Sequence, residues 1–153
     1  MPDAIGEDRG GYDPPDRLRG LASWLSAETA RKGRLLVNAA LARAGARRQH
    51  FTVLTSLAEQ GPASQAEVGR RLSIDRSDLH ALLAELERDG LVARARDERD
   101  RRRNVVTLTR TGKTALARLD KQIDAAQDAL LQPLSVSERR ELHRLLQKLL
   151  QPD

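Results

Sequence analysis

Two helix starts lie close together in this 153-residue chain, and they constrain its fold more than any other feature. The first is Ser64-Gln-Ala-Glu67, a capping box in which the serine caps the helix start and the glutamate reaches back. The second is Asp75, which follows a tight turn at Ser73-Ile74 and has Asp78 three residues further on. A short helix, a tight turn and a second capped helix together predict a helix-turn-helix.

The second helix of this pair has two faces. Its leucines at 79, 82, 83 and 86 recur at i, i+3, i+4 and i+7, the spacing of a buried stripe. The N-terminal half of such a helix inserts into the major groove, where Arg, His, Ser and Ala can each contact base edges or phosphates. The alternative is an ordinary solvated helix face. The predicted DNA-binding residues of the helix pair are Ser64, Gln65, Arg76, Ser77, His80, Ala81 and Arg88.

The periodicity changes after Gly90, which ends the second helix. Residues 91–96 and 103–109 read as two short strands, and the segment between them is charged and turn-like. A hairpin directly after a helix-turn-helix is a wing, and arginines at its narrow tip suit the minor groove and the phosphates. The alternative is a solvated run of charges. The predicted DNA-binding residues of the wing are Arg99, Arg101, Arg102 and Arg103.

Composition narrows the classes of function. The net charge of +5 suits a polyanion partner, and 2% aromatic residues are too few for a platform that stacks single-stranded bases. Without cysteine the chain has no disulfide and no thiolate metal site. His50, His80 and His143 lack the spacing of a metal-binding helix, and no glycine-rich phosphate loop is present. We therefore predict no catalytic residues, no metal and no cofactor, and a protein that is not an enzyme.

The helices at the two ends of the chain carry leucine stripes that a small winged domain cannot cover. One helical pattern runs from Asp16 to about Ala44 with a weak point at Gly33, and the last helix follows a capping box at Ser135-Val-Ser-Glu138. Burying one leucine contributes ~1.5–3 kcal/mol, so pairing across a two-fold axis is favoured over packing within one subunit. The predicted dimerisation residues are Leu18, Leu21, Leu25, Leu142, Leu145, Leu146 and Leu149.

These elements predict a mainly α fold with one small β-hairpin, an α+β winged helix-turn-helix whose N- and C-terminal helices form a dimerisation lobe. We expect a mobile N-terminal arm at 1–14, the dimerisation lobe at 15–46 and 109–153, and the DNA-binding lobe at 47–108. The start of the chain has no apolar leader, and no stretch approaches the ~20 apolar residues of a membrane span. We therefore expect a cytoplasmic protein without a membrane partner.

At this point the sequence resembles the MarR-type regulators, over residues 47 to 117. The motifs that carry the resemblance are His50-Phe51-Thr-Val-Leu54, Ile74-Asp-Arg-Ser77, Leu86-Glu-Arg-Asp-Gly-Leu-Val92, Asp100-Arg-Arg102 and Leu108-Thr-Arg-Thr-Gly112. The resemblance implies an obligate homodimer that places two winged helices on a pseudo-palindromic operator of double-stranded DNA. It also implies a wing-tip arginine, which falls on Arg102.

The resemblance further implies a small-molecule effector bound between the dimerisation lobe and the winged lobe. Trp24, Arg47, Arg48 and His50 lie on elements that could line such a site, and their side chains suit a small anionic or phenolic aromatic compound. Two alternatives stay open: Trp24 follows Leu21 at helical spacing and could be core, and His50 could cap or support its own helix.

The chain departs from the family at several positions. Asp78 and His80 replace residues that are often Thr or Ser, Ala81 stands where Arg is frequent, and His50 replaces a common glutamine. The base contacts of relatives therefore cannot be copied to this chain. The leading prediction is a sequence-specific transcriptional repressor released by a small molecule. The alternatives are a dimeric winged-helix module that binds protein partners and a nonspecific DNA-compacting protein.

Overall fold

The computed structural model describes residues 13–101 and 104–151. Over these residues the chain is mainly helical, with one antiparallel hairpin, which confirms the predicted fold class. The elements in chain order are α1 (Asp16–Arg19), α2 (Ala22–Arg43), α3 (Arg48–Gln60), α4 (Gln65–Leu72), α5 (Arg76–Arg88), β1 (Val92–Arg96), β2 (Asn104–Leu108), α6 (Arg110–Leu131) and α7 (Val136–Leu150).

The chain divides into two compact units. The winged unit is Asn38–Ile123, described except at positions 102 and 103, and it holds the helix-turn-helix and the hairpin. The terminal unit comprises the described residues within Met1–Val37 and Asp124–Asp153. None of the helices in the described ranges is long and apolar enough to cross a bilayer.

The winged unit encloses a leucine and valine core. Helices α3, α4 and α5 pack on one another, α3 also packs on β2, and α5 packs on β1. The fully buried side chains are aliphatic, which explains how a chain with so few aromatic residues builds a core. The largest of them are Leu41, Leu54, Leu79, Leu83, Leu86, Val53 and Val68.

The hairpin pairs β1 with β2 from Val92 opposite Leu108 to Arg96 opposite Asn104. Ala63, just before α4, forms an additional antiparallel bridge with Val106 of β2. The backbone N of Val106 donates to Ala63 O at 2.7 Å, and the N of Ala63 donates to Val106 O at 3.2 Å. This bridge joins the entry of the helix-turn-helix to the wing, so the two are held as one body.

Two local predictions were wrong. The N-terminal helix does not run unbroken from Asp16 with a weak point at Gly33; it ends at Arg19, with Gly20 as the C-cap, and resumes at Ala22. Glycine weakens a helix because it loses the most backbone freedom on folding. Gly33 instead lies inside α2, where an added Cβ would be only 3.2 Å from Cδ2 of Leu130, so its small size allows close packing.

The second wrong detail concerns Glu67 in the capping box of α4. Ser64 Oγ does accept from the backbone N of Glu67, at 3.3 Å, as predicted. The Glu67 carboxylate does not reach back, because it pairs with Arg71 one turn along the helix, at 2.8 Å. The box at Ser135 and Glu138 is complete in both directions, as the sequence predicted.

Candidate nucleic-acid interface

Asp75 fixes the first turn of α5. Its Oδ1 accepts from the backbone N of Ser77 at 2.8 Å and from Ser77 Oγ at 2.6 Å. These hydrogen bonds, above all the one from the Ser77 hydroxyl, hold the pKa of Asp75 below its ordinary value. Because Ser77 has one O–H and donates it to Asp75, its oxygen can only accept from a further partner while this bond persists.

The two faces of α5 separate as the leucine spacing predicts. Its four stripe leucines are between 1% and 3% exposed. The opposite face and its flanks are open, and the five residues of α5 predicted to contact DNA are all exposed there. They are Arg76, Ser77, His80, Ala81 and Arg88.

A hollow of about 1110 Å³ lies between α4 and the start of α5. It brings Gln65 of α4 to the same surface as Arg76, Ser77 and His80 of α5. Gly69 keeps the two helices close, because a Cβ there would be 3.3 Å from the Ile74 carbonyl oxygen. The predicted contacts of the helix pair therefore share one concave surface, with the exception of Ser64, Ala81 and Arg88, which do not line it.

The wing continues from the C-terminal end of α5. Arg94 of β1 pairs with Glu87 of α5, with 3.3 Å between Nε and Oε2, and this contact ties the hairpin to the helix. In the loop, the backbone N of Arg99 donates to Asp97 Oδ1 at 2.9 Å, a local turn bond. Arg99 and Arg101 are exposed. Arg102 and Arg103, also predicted to contact DNA, lie outside the described residues.

His50 joins α3 to α5. Its Nδ1 accepts from the backbone N of Arg47 at 3.2 Å, so this nitrogen carries no proton. The proton of the neutral ring is then on Nε2, which lies 3.0 Å from Glu85 Oε2 and donates to it. The Arg47 guanidinium binds the same Glu85 oxygen. The hydrogen bond from His50, followed by that from Arg47, holds the pKa of Glu85 below its ordinary value.

This geometry supports the alternative reading of His50, in which it caps and supports its own helix. The same ring also lines a cavity of about 350 Å³ within the winged unit. Leucines from α3, α5 and α6 form part of the cavity wall, and Asp89, Arg118 and Lys121 are its charged lining residues. Of the four predicted ligand residues, His50 alone lines this cavity.

The other three predicted ligand residues have different surroundings. Arg47 precedes α3 and is engaged with Glu85. Arg48 is exposed at the first position of α3. Trp24 is half-buried on α2 and belongs to the terminal unit.

Four of the seven predicted dimerisation leucines are exposed in the single chain. Leu25 is 49% exposed and Leu149 is 76% exposed, whereas Leu18, Leu21 and Leu142 are half-buried. Leu145 and Leu146 are exposed as well. Three further large apolar residues that the sequence analysis did not select are also exposed: Leu35, Val136 and Leu150.

Sequence reasoning missed the acidic side chains that organise this surface. The pairing of Glu67 with Arg71 follows i, i+4 spacing and could have been anticipated. Glu85 and His50 are 35 residues apart, and Glu87 pairs with a strand residue, so no local spacing marks them. The basic lining residues Arg118 and Lys121 were missed because helix α6 was treated only as part of the dimerisation lobe.

These parts define a winged helix-turn-helix DNA-binding protein: a capped helix pair, an exposed second helix and a hairpin attached to it. A family model described as "MarR family" matches residues 44–103. The HTH-type transcriptional repressor Rv2887 of Mycobacterium tuberculosis is 32% identical over 113 residues, which cover 74% of this chain and 81% of that protein. The chain therefore belongs to the MarR family of transcriptional regulators.

Solved structures agree with this assignment. A mutant of E. coli MarR complexed with operator DNA matches with a TM-score of 0.70 and 25% identity, covering 84% of this chain and 93% of that one. The PcaV transcriptional regulator of Streptomyces coelicolor, in complex with its natural ligand, matches with a TM-score of 0.66 and 26% identity, covering 86% and 93%.

Proposed function

We propose that this MarR-family regulator is a homodimeric, sequence-specific repressor that binds a pseudo-palindromic operator and releases it when a small aromatic or anionic effector binds. It acts in the cytoplasm, where it has access to DNA, and it has no enzymatic activity of its own. The relative Rv2887 is named a repressor, and this supports repression as the direction of control.

The observation that carries the proposal is the open face of α5. Arg76, Ser77 and His80 lie together at its N-terminal half, on the surface shared with α4. This is the part of a recognition helix that reaches base edges in the major groove. Arg76 and His80 can each bind a guanine edge or a phosphate, and Ser77 can accept a hydrogen bond. The complex of E. coli MarR with operator DNA supports the same use of the fold.

A second copy of the chain accounts for the exposed leucines of the terminal unit. A dimer of winged helices places two recognition helices about one DNA turn apart, so the operator repeats with the protein's two-fold symmetry. A module that binds protein partners would use the α5 face to contact a protein, and its binding would not depend on DNA sequence. The DNA-compacting alternative would bind all sequences with equal affinity.

The effector is proposed to bind in the cavity beside His50. Leu54, Leu86 and Leu91 supply an apolar wall, and Arg118 and Lys121 supply positive charge for an acidic group. Arg118 and Lys121 are three residues apart on α6, which places them on neighbouring turns of one face. Because His50 also holds Glu85 of α5, a ligand that takes the Nε2–H bond would disturb the support of the recognition helix.

The first experiment titrates the protein with DNA from upstream of its own gene, with random DNA as competitor and at several salt concentrations. The proposal predicts a complex that survives an excess of random DNA. Equal competition by random DNA would support compaction, and the absence of any salt-dependent complex would support the protein-interaction module.

The wing is tested with Arg102→Ala. A well-placed contact contributes ~1–3 kcal/mol, and a dimer has two copies, so operator binding should weaken by roughly 2–6 kcal/mol per dimer. Glu98→Gln is the matched control, since it changes an exposed acidic residue of the same loop and should not weaken binding. Circular dichroism checks the fold of both variants. A folded Arg102→Ala protein with wild-type affinity would refute the wing assignment.

The effector site is tested with benzoate as an aromatic anion. Calorimetry should detect benzoate binding, and benzoate should at the same time weaken operator binding, because a ligand shifts two states only by its differential affinity for them. His50→Ala and Arg118→Gln should each lower benzoate affinity. If benzoate weakens operator binding but the double variant His50→Ala with Arg118→Gln binds it unchanged, the site lies elsewhere.

A further inference from the structure

Four arginines lie near α5, the proposed recognition helix, and they fall into two groups: two form an ion pair with an acidic side chain among the described residues and two do not. Arg71 pairs with Glu67 at 2.8 Å, and Arg94 pairs with Glu87 at 3.3 Å. Arg70, the immediate neighbour of Arg71, and Arg96, two residues beyond Arg94, are exposed. Neither forms an ion pair with any residue in the described part of the chain.

Arg70 lies on the surface of the winged unit that we propose to face DNA. It lines the hollow between α4 and α5 together with Arg76, Ser77 and His80. Its neighbour Arg71 does not line this hollow, and one of its guanidinium nitrogens lies 3.5 Å from the Gly61 carbonyl oxygen, at the end of α3. Consecutive residues on a helix point about 100° apart, which explains their different surroundings.

Arg96 lies on the side of the hairpin that meets α5. Side chains alternate between the two faces of a strand, so Arg94 and Arg96 share one face. Arg94 reaches Glu87 at the C-terminal end of α5, which identifies that face. Two residues further along β1, about 6.6 Å at the usual rise per residue, Arg96 lies nearer to the wing tip.

We infer that Arg70 and Arg96 bind DNA phosphates on either side of the recognition helix, and that Arg71 and Arg94 do not. The inference rests on the proposed DNA-binding function and adds two contacts to it. A lone arginine that neutralises a phosphate releases counterions, whereas an arginine whose charge is balanced by a neighbouring carboxylate adds no net charge to the surface. Among these four arginines, the acidic partners thus determine which are available to the DNA backbone.

Salt dependence tests this division directly, because each neutralised phosphate contributes about 0.9 to the slope of log K against log salt. Arg70→Gln and Arg96→Gln should each reduce the slope for a dimeric complex by about two, since each contact occurs twice. Their effect should be similar on operator and random DNA, because phosphate contacts carry no sequence information.

Two charge-neutral double variants are the matched controls. Glu67→Gln with Arg71→Gln, and Glu87→Gln with Arg94→Gln, remove an ion pair without changing net charge, and both should keep the wild-type slope. Arg34→Gln, which removes an exposed arginine of α2 in the terminal unit, controls for the loss of charge alone and should also keep it.

The inference is overturned if folded Arg70→Gln and Arg96→Gln proteins keep the wild-type slope, or if Arg34→Gln or the double variants reduce it as much. These outcomes are distinct from failure of the proposed function, in which the wild-type protein itself would form no salt-dependent complex with DNA.

Discussion

Helices α5 and α7 are alike in sequence but differ in how deeply their leucines are buried. Both helices carry leucines at helical spacing. Those of α5 are at most 3% exposed, whereas Leu149 and Leu150 of α7 are 76% and 84% exposed. The same residue type and spacing therefore yield a filled core in one unit and an open apolar face in the other.

The difference extends to the two units as wholes. The winged unit holds nearly all of the buried hydrophobic residues, and Ala126 is the one such residue of the terminal unit among those described. Contiguous apolar surface on a small protein marks an interaction site. The winged unit therefore folds around its own core, and we propose that a second copy of the chain covers the apolar residues of the terminal unit.

The largest expected effect comes from Leu146→Glu. It removes one buried leucine per chain from the proposed interface, about 3–6 kcal/mol per dimer, and puts a charge there. Gln147→Glu, which adds the same charge at the neighbouring exposed position, is the control and should stay dimeric. Sedimentation equilibrium measures both. A Leu146→Glu protein with the wild-type dissociation constant would remove α7 from the interface.

Leu83→Ala tests the core of the winged unit. Leu83 is 1% exposed, and truncation of a fully buried leucine costs about 2–5 kcal/mol of the free energy of unfolding. Ala84→Ser, on the exposed face of α5, should change it by only about 0.5 kcal/mol. Urea unfolding provides the values. Equal stability of the two variants would contradict a close-packed core in the winged unit.

Gly112 of the winged unit and Gly33 of the terminal unit differ in what an added Cβ would contact. A Cβ on Gly112 would lie 2.0 Å from the Leu91 carbonyl oxygen, and backbone cannot move aside. Gly112→Ala should therefore cost about 1–3 kcal/mol. Gly33 faces only the flexible end of Leu130, and alanine favours a helix by about 0.5–1 kcal/mol, so Gly33→Ala should be neutral or stabilising. If urea unfolding shows Gly33→Ala to be less stable than Gly112→Ala, these close approaches do not determine the effect of the two substitutions on stability.

Glu85→Gln should have the smallest effect, and it should depend on pH. The folded-state pKa of Glu85 is lowered, first by the hydrogen bond from His50. Its contribution to stability is therefore present above the ordinary glutamate pKa and is lost as the pH falls through the folded value. Urea unfolding should show wild type more stable than the variant at pH 7 and the two converging in acid. A stability difference between the two proteins that grows as the pH falls would contradict a lowered pKa for Glu85 in the folded state.

The helix-turn-helix could be predicted from the sequence because its signals are local. Ser64, Asp75 and the leucine stripe of α5 each specify their structure within a few residues, through caps and periodicity. The same holds for Thr109, whose hydroxyl accepts from the backbone N of Gly112 at 2.9 Å at the start of α6. Here local propensity and tertiary packing favour the same answer.

The rest depends on contacts between distant segments. Nothing near Glu85 indicates that His50 and Arg47 bind it, and nothing near Arg118 marks it as a lining residue of a cavity. The break at Gly20 was missed because one glycine within a periodic segment is often tolerated. The structure also explains the sequence motif that ends in Gly112, since the Leu91 carbonyl leaves no room there for a side chain.

Dimeric operator binding is tested most directly by the mass of the complex that the wild-type chain forms with its own upstream DNA, measured by light scattering. We expect a protein mass of twice the 17.0 kDa of one chain, both free at micromolar concentration and on each operator. A stable, folded monomer that binds DNA as a single chain would contradict the proposed dimer, because the leucines of the terminal unit would then need no second copy.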